Sequence, residues 1–159
     1  MASYIESQRG AKKLVYEGHI YQKREQRGDK VYWRCDQFQA LNCPGTAKTN
    51  GFNDGTPVTI GQQHNHSPSP TRVEVAYIGQ NIRREAIRGN GNAPRTVVNE
   101  CIAGASQDAV TNDLPQLSTL QQVVCRSRRA HNGYADIPHT LADIIIPQVI
   151  FISQLLTDK

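Results

Sequence analysis

Four side chains in the first half of the sequence, Cys35, Cys43, His64 and His66, constrain the fold more than any other feature. They read C-x7-C-x20-H-x-H. Two thiols and two imidazoles are the usual donor set of a closed tetrahedral zinc site. Cys35 closes an aromatic, strand-like run, Val31-Tyr32-Trp33-Arg34, and Cys43 precedes the turn signal Pro44-Gly45. Histidines two apart diverge on a helix but share a face on a strand. The pair therefore predicts a β-type zinc finger. The alternatives are a Cys35–Cys43 disulfide and an exposed polar His-Asn-His loop. A disulfide leaves the histidine pair unexplained, and the N-terminus has no apolar segment of the kind that marks secretion.

The chain has 159 residues, enough for one ordinary domain or two small ones. Apolar residues make up 38% and aromatics 6%, so a small module here gains from a metal that supplements its core. Lys and Arg number 18 against 14 acids, and the pI is about 9.0; this mild basicity suits a nucleic-acid partner. Four cysteines fit a reducing compartment. No run approaches the ~18 apolar residues of a membrane span, so no membrane partner is expected.

Residues 11–66 read as β: strands at Lys13–Tyr16, His19–Arg24, Lys30–Cys35, Thr46–Thr49 and Pro57–Gln62, the last delivering the histidines. Gly18 and Arg27-Gly28-Asp29 mark tight turns. Ser67-Pro68-Ser69-Pro70 ends the sheet and reads as a linker over residues 68–72. A helical pattern follows over 73–131. Val73–Ile87 carries apolar residues at 75, 78, 82 and 86, and Gly89–Asn92 breaks it. Pro94 opens a second helix that carries Val97, Val98, Cys101 and Ile102 and ends near Gly104. A short segment runs from Ser106 to Asn112. A fourth helix, Ser118–Arg129, ends in Arg126, Arg128 and Arg129, where cations suit a helix C-terminus. Cys101 and Cys125 have apolar neighbours and read as buried thiols; the isolated His131 and His139 receive no role. Residues 132–159 form an apolar tail split by Pro147, resembling the opening of a further domain. The fold class is a small zinc-bound antiparallel sheet followed by helices, α+β overall, with the sheet module at 11–67.

These residues carry a family resemblance. Lys13–His66, about a third of the chain, resembles the FLYWCH-type zinc finger through Leu14, Tyr16, Tyr21, Tyr32, Trp33-Arg34-Cys35, Cys43-Pro44-Gly45 and His64-Asn65-His66. It is more distantly similar to plant WRKY domains, from which it departs in the wider spacing around residues 36–43. Gln80–Ala130 is similar to the helical segment that precedes a Mutator-like transposase domain in some animal FLYWCH proteins. The matching pieces are Ala93-Pro94-Arg95, Leu114-Pro115 with Leu117 and Ser118, and the arginines at 126–129. The sequence ends at Lys159, where that domain would begin, and shows no catalytic carboxylate triad, so transposase activity is not implied.

The resemblance implies Zn2+ as cofactor and sequence-preferring binding of double-stranded DNA by the sheet. It also implies a nuclear location and a transposon-derived origin. Tyr21–Arg27 corresponds to the strand that enters the major groove edge-on in the WRKY-like arrangement. Gln22, Lys23 and Arg24 are the candidates for base edges. Lys12, Lys13, Arg27, Lys30 and Lys48 are the candidates for phosphates, with Arg34 facing either phosphate or an acid. Residues 1–70 hold nine cations against six acids, a weak electrostatic footprint. Trp33 and Tyr32 read as core and zinc-shell packing. The Arg-ended helix at 118–129 reads either as a solvated terminus or as a recognition helix. The alternative function is a protein-interaction zinc module that binds peptides at a sheet edge. No enzyme is expected, because four protein ligands leave zinc no open position.

Overall fold

The computed structural model describes residues 1–7, 9–88 and 92–132; the breaking segment at 89–91 and the tail expected to open a further domain lie outside them. A six-stranded antiparallel sheet is followed by four helices, the α+β class that the sequence predicts. The strands are β1 (Ser3–Glu6), β2 (Lys12–Tyr16), β3 (His19–Arg27), β4 (Lys30–Cys35), β5 (Thr46–Asn50) and β6 (Thr59–Ile60), paired in chain order. The helices are α1 (Pro70–Arg88), α2 (Pro94–Ile102), α3 (Gln107–Asn112) and α4 (Leu117–Asn132).

Strand alternation gives the sheet two different faces. On one, Leu14, Tyr21, Val31, Trp33 and Ala47 form a core with Ala2, closed by Tyr4, Phe52 and Val58. The Trp33 indole N–H donates to Thr49 Oγ1 at 2.9 Å inside it, so the ring's one polar group is satisfied. On the other face, Ile5, Val15 and Ile20 pack against Val73, Ala76 and Tyr77 of α1. The third core belongs to the helices: Ile78, Ile82 and Ala86 of α1, Val97 and Val98 of α2, and Leu120, Val123 and Val124 of α4.

Several expectations change. β1 was not anticipated, although it buries Ile5 and pairs with β2 from Ser3↔Val15 to Glu6↔Lys12. The strand expected at Pro57–Gln62 shrinks to the two exposed residues of β6. α1 begins at Pro70, within the stretch read as linker, because proline suits a first helical turn. Tyr32 is only half-buried: it alternates with Trp33 and so faces away from the core. Cys125 is exposed, since one residue past the buried Val124 turns ~100° around the helix.

Gly18 makes the β2–β3 turn at φ +74°, and its carbonyl accepts from the Ser69 N–H at 3.0 Å. A Cβ there would lie 2.8 Å from Pro68 Cβ, so glycine lets the chain leaving the metal site pass close to the turn.

Candidate metal centre and basic strand

Cys35 ends β4, Cys43 follows a loop, and both are buried and free rather than joined in a disulfide. His64 and His66 come from the irregular chain after β6, not from a strand. They converge with the thiols by using different ring nitrogens. Cys43 Sγ lies 3.3 Å from His64 Nδ1, Cys35 Sγ lies 3.3 Å from His66 Nε2, and the two nitrogens are 3.3 Å apart. All four donor atoms fall within 4.8 Å of one another. Zinc bonded to nitrogen at ~2.0–2.1 Å and to sulfur at ~2.3 Å requires tetrahedral edges of about 3.3–3.8 Å, and the cage fits. The donor set is closed and thiol-rich, the composition of structural rather than catalytic zinc.

Outer partners fix each ligand. The His64 Nε2 meets the Tyr21 hydroxyl at 2.8 Å, and the His66 Nδ1–H donates to the Ser67 carbonyl at 3.0 Å. These bonds select the tautomers that leave Nδ1 of His64 and Nε2 of His66 for the metal. The amides of Gln37 and Gly45 donate to Cys35 Sγ and Cys43 Sγ, each at 3.4 Å. Burial pushes the Cys35 thiol up to about 11, with the Gln37 amide opposing and Cys43 adding to the rise. Burial, then His19 and His66, pushes His64 down to about 4, which keeps it in the neutral form that a ligand needs. A zinc ion supplies the charge that makes such buried thiols ionise.

Two residues of this shell escaped sequence reasoning. Tyr21 is 1% exposed, and burial first, then Cys35, pushes its hydroxyl up to about 12. His19 stacks on His64 with centroids 3.7 Å apart and planes 2° from parallel. Gly45 is equally specific: a Cβ there would lie 2.6 Å from the His64 ring.

Lys23, Arg24, Arg27 and Lys30 occupy the opposite end of β3 and β4, whereas Arg34 and Lys13 lie nearer the cage. Gln22 pairs with Arg34, and Tyr32 pairs with Lys48, so these four share the face that also carries Val15 and Ile20. Lys23 pairs with Trp33 and faces the other way; its ammonium sits over the Phe52 ring at 5.6 Å, beside Lys12 at 5.4 Å. Arg24 occupies a register shift between Lys23 and Glu25. Arg27 pairs with Glu25 at 2.7 Å and sits across from Lys30 at the turn. Lys13 reaches Asp36 at 3.9 Å. Arg34 stacks on Phe38, 3.7 Å from the ring centroid, and meets no acid among the described residues. Arg128 of α4 donates to the Ala86 and Asn92 carbonyls at 3.1 and 2.8 Å, which ties α4 to the end of α1.

Among the described residues, no helix is long and apolar enough to cross a membrane. Residues 4–66 match the FLYWCH zinc finger domain. The chain is 37% identical over 65 residues to FLYWCH-type zinc finger-containing protein 1 of Mus musculus, and 36% identical over 66 residues to that of Homo sapiens. These matches cover 41% and 42% of this chain and 9% of each relative, so the chain matches about a tenth of their length. All four residues of the Cys/His cage fall within residues 4–66, the stretch that matches the FLYWCH zinc finger domain, so the geometry and the match describe the same zinc-binding module.

Proposed function

We propose that this chain is a zinc-dependent DNA-binding module that presents β3 to the major groove. The observation that carries this reading is the edge of the sheet. β2 pairs with β3 only as far as Gln22; from Lys23 to Arg27 β3 is bonded to β4 alone, and Lys23 to Arg27 are all exposed. The outer side of this segment is a free edge dense in cations, with the side chains of Gln22 and Lys23 projecting to opposite faces. A strand entering a major groove edge-on needs that arrangement, since both faces then address bases or phosphates. Lysine or arginine matches guanine O6/N7, and glutamine matches adenine N6/N7. Lys30, Lys48 and Arg27 flank the strand as phosphate contacts. The zinc cage sits at the other end of β3 and β4, where it holds the sheet through His19 and Tyr21, away from the exposed segment Lys23 to Arg27. The same reading places the protein in the nucleus. The helical resemblance over Gln80–Ala130 supports descent from a transposon-encoded parent.

The test is a binding titration of the full chain against mixed-sequence duplexes across a salt series. Lys23→Ala combined with Arg24→Ala removes contacts worth ~1–3 kcal/mol each, so affinity falls at least about 30-fold, while zinc content stays unchanged. Unaltered affinity in that variant sinks the strand assignment. The free edge also suits a peptide that adds as a further strand, the protein-interaction reading. A zinc-loaded, folded protein with no salt-dependent affinity for DNA favours that second reading.

A further inference from the structure

Between the β1–β2 turn and the helices lies a cleft of about 760 Å³. Arg9 lines it from the turn, Arg83 and Arg84 from α1, and Arg126 and His131 from α4; among the described residues Glu6 is the one acid in the lining. The Arg9 and Arg84 side chains make no hydrogen bond or ion pair among the described residues, and the Arg126 side chain meets only the Gln122 side-chain oxygen there, at 3.4 Å. Arg83 is half-buried, donates to the Glu6 backbone carbonyl, and is held below the ordinary arginine value by burial, with Glu6 opposing. Cations gathered in one concavity repel one another, and a single carboxylate does not offset them. A surface of this kind is complementary to a polyanion.

The strand order says which polyanion. In this antiparallel sheet the β1–β2 turn and the β3–β4 turn lie at the same end, away from the zinc cage. α1 covers the face that carries Ile5, Val15 and Ile20, the face to which Gln22, Arg34 and Lys48 also belong. β3 and β1 are two strand spacings apart, about 10 Å. A major groove is about 12 Å wide. A groove that receives β3 therefore brings its flanking phosphate ridge down over the β1–β2 turn and the cleft behind it.

We infer that this cleft is a second DNA contact, in which Arg9, Arg84 and Arg126 hold the phosphates flanking the groove read by β3. The inference rests on the proposed function and makes the helical half part of the DNA site. The contact is independent of base sequence, because phosphates carry none.

The full chain carrying Arg84→Ala and Arg126→Ala is titrated with mixed-sequence duplex DNA at several salt concentrations. Both side chains are exposed, and zinc content with the helical circular dichroism signal confirms an intact fold. The expected result is roughly tenfold weaker binding at low salt, alike for all sequences, with the salt dependence shallower by ~2 phosphates' worth. Arg84→Lys with Arg126→Lys retains the charge and restores most of the slope. Arg9→Ala, on the turn, gives the same change at about half the size. Wild-type affinity and slope in the alanine variants overturn the cleft and leave the β3 reading standing. A wild-type chain that binds no duplex overturns both.

Discussion

Tyr21 ties the hydrophobic core to the metal. Its ring lies in the core with Trp33 and Leu14, and its hydroxyl meets His64 Nε2 at 2.8 Å. With its pKa near 12 it remains a neutral hydroxyl wherever zinc binds, so its lone pair accepts the imidazole N–H. Tyr21→Phe keeps the ring and removes that acceptor. Zinc affinity should fall about 10–100-fold, or ~1.4–2.7 kcal/mol, in competition with a chromophoric chelator. An unchanged affinity would mean that the hydroxyl does not orient His64. The four ligands were legible because their spacing is a linear property of the chain. Tyr21 and His19 were not, since their approach to His64 depends on where β3 passes relative to a loop some forty residues later. Gly45 looked like a turn residue, yet its constraint is the ring 2.6 Å from where its Cβ would be.

Among the elements, α3 is the one least able to stand alone. At six residues it is too short to persist in isolation, and it is held by a cap shared with α1. Ser106 Oγ accepts from the Ala109 amide, while its hydroxyl and its backbone amide donate to the two carboxylate oxygens of Glu74, both at 2.6 Å. Those two bonds, the side-chain one first, hold Glu74 below its ordinary value of 4.5. A lowered carboxylate contributes stability that is present above the unfolded pKa and disappears as pH falls through the folded one. Glu74→Gln should therefore lower the melting temperature at neutral pH, and the gap to wild type should close as acidification carries the pH down through and below the ordinary value of 4.5. A gap that persists at low pH would point to packing rather than charge. Helix positions were readable from their 3.6-residue stripes, whereas this cap was not, because the acceptor lies 32 residues before the donor. β1 was missed for a related reason: Ser-Tyr-Ile-Glu is too short to show a period and becomes a strand by pairing with β2.

At the scale of the molecule, the distribution of cores decides how it comes apart. Among the described residues, the sheet core has six buried members and is anchored to the zinc cage through Tyr21, while the helical core has eight, none of them a member of the Cys/His cage. Between them stand Ile5, Val15 and Ile20 against one face of α1, with the Ser3 and Tyr77 hydroxyls 2.7 Å apart. Structural zinc supplies ~10–16 kcal/mol, as much as the whole stability of an ordinary domain. Its removal should therefore unfold the sheet outright. The helices lose only what they gain from that face, and their own buried core keeps them packed. The chain has one tryptophan, Trp33, so its fluorescence reports the sheet alone, while far-ultraviolet circular dichroism reports mainly the helices. Chelation of the full chain should shift Trp33 emission to that of a solvated indole and leave most of the helical signal in place, and added zinc should reverse the shift. Simultaneous loss of both signals would instead show that the α1 face welds the halves into one cooperative unit, with the helical region dependent on the metal for its fold.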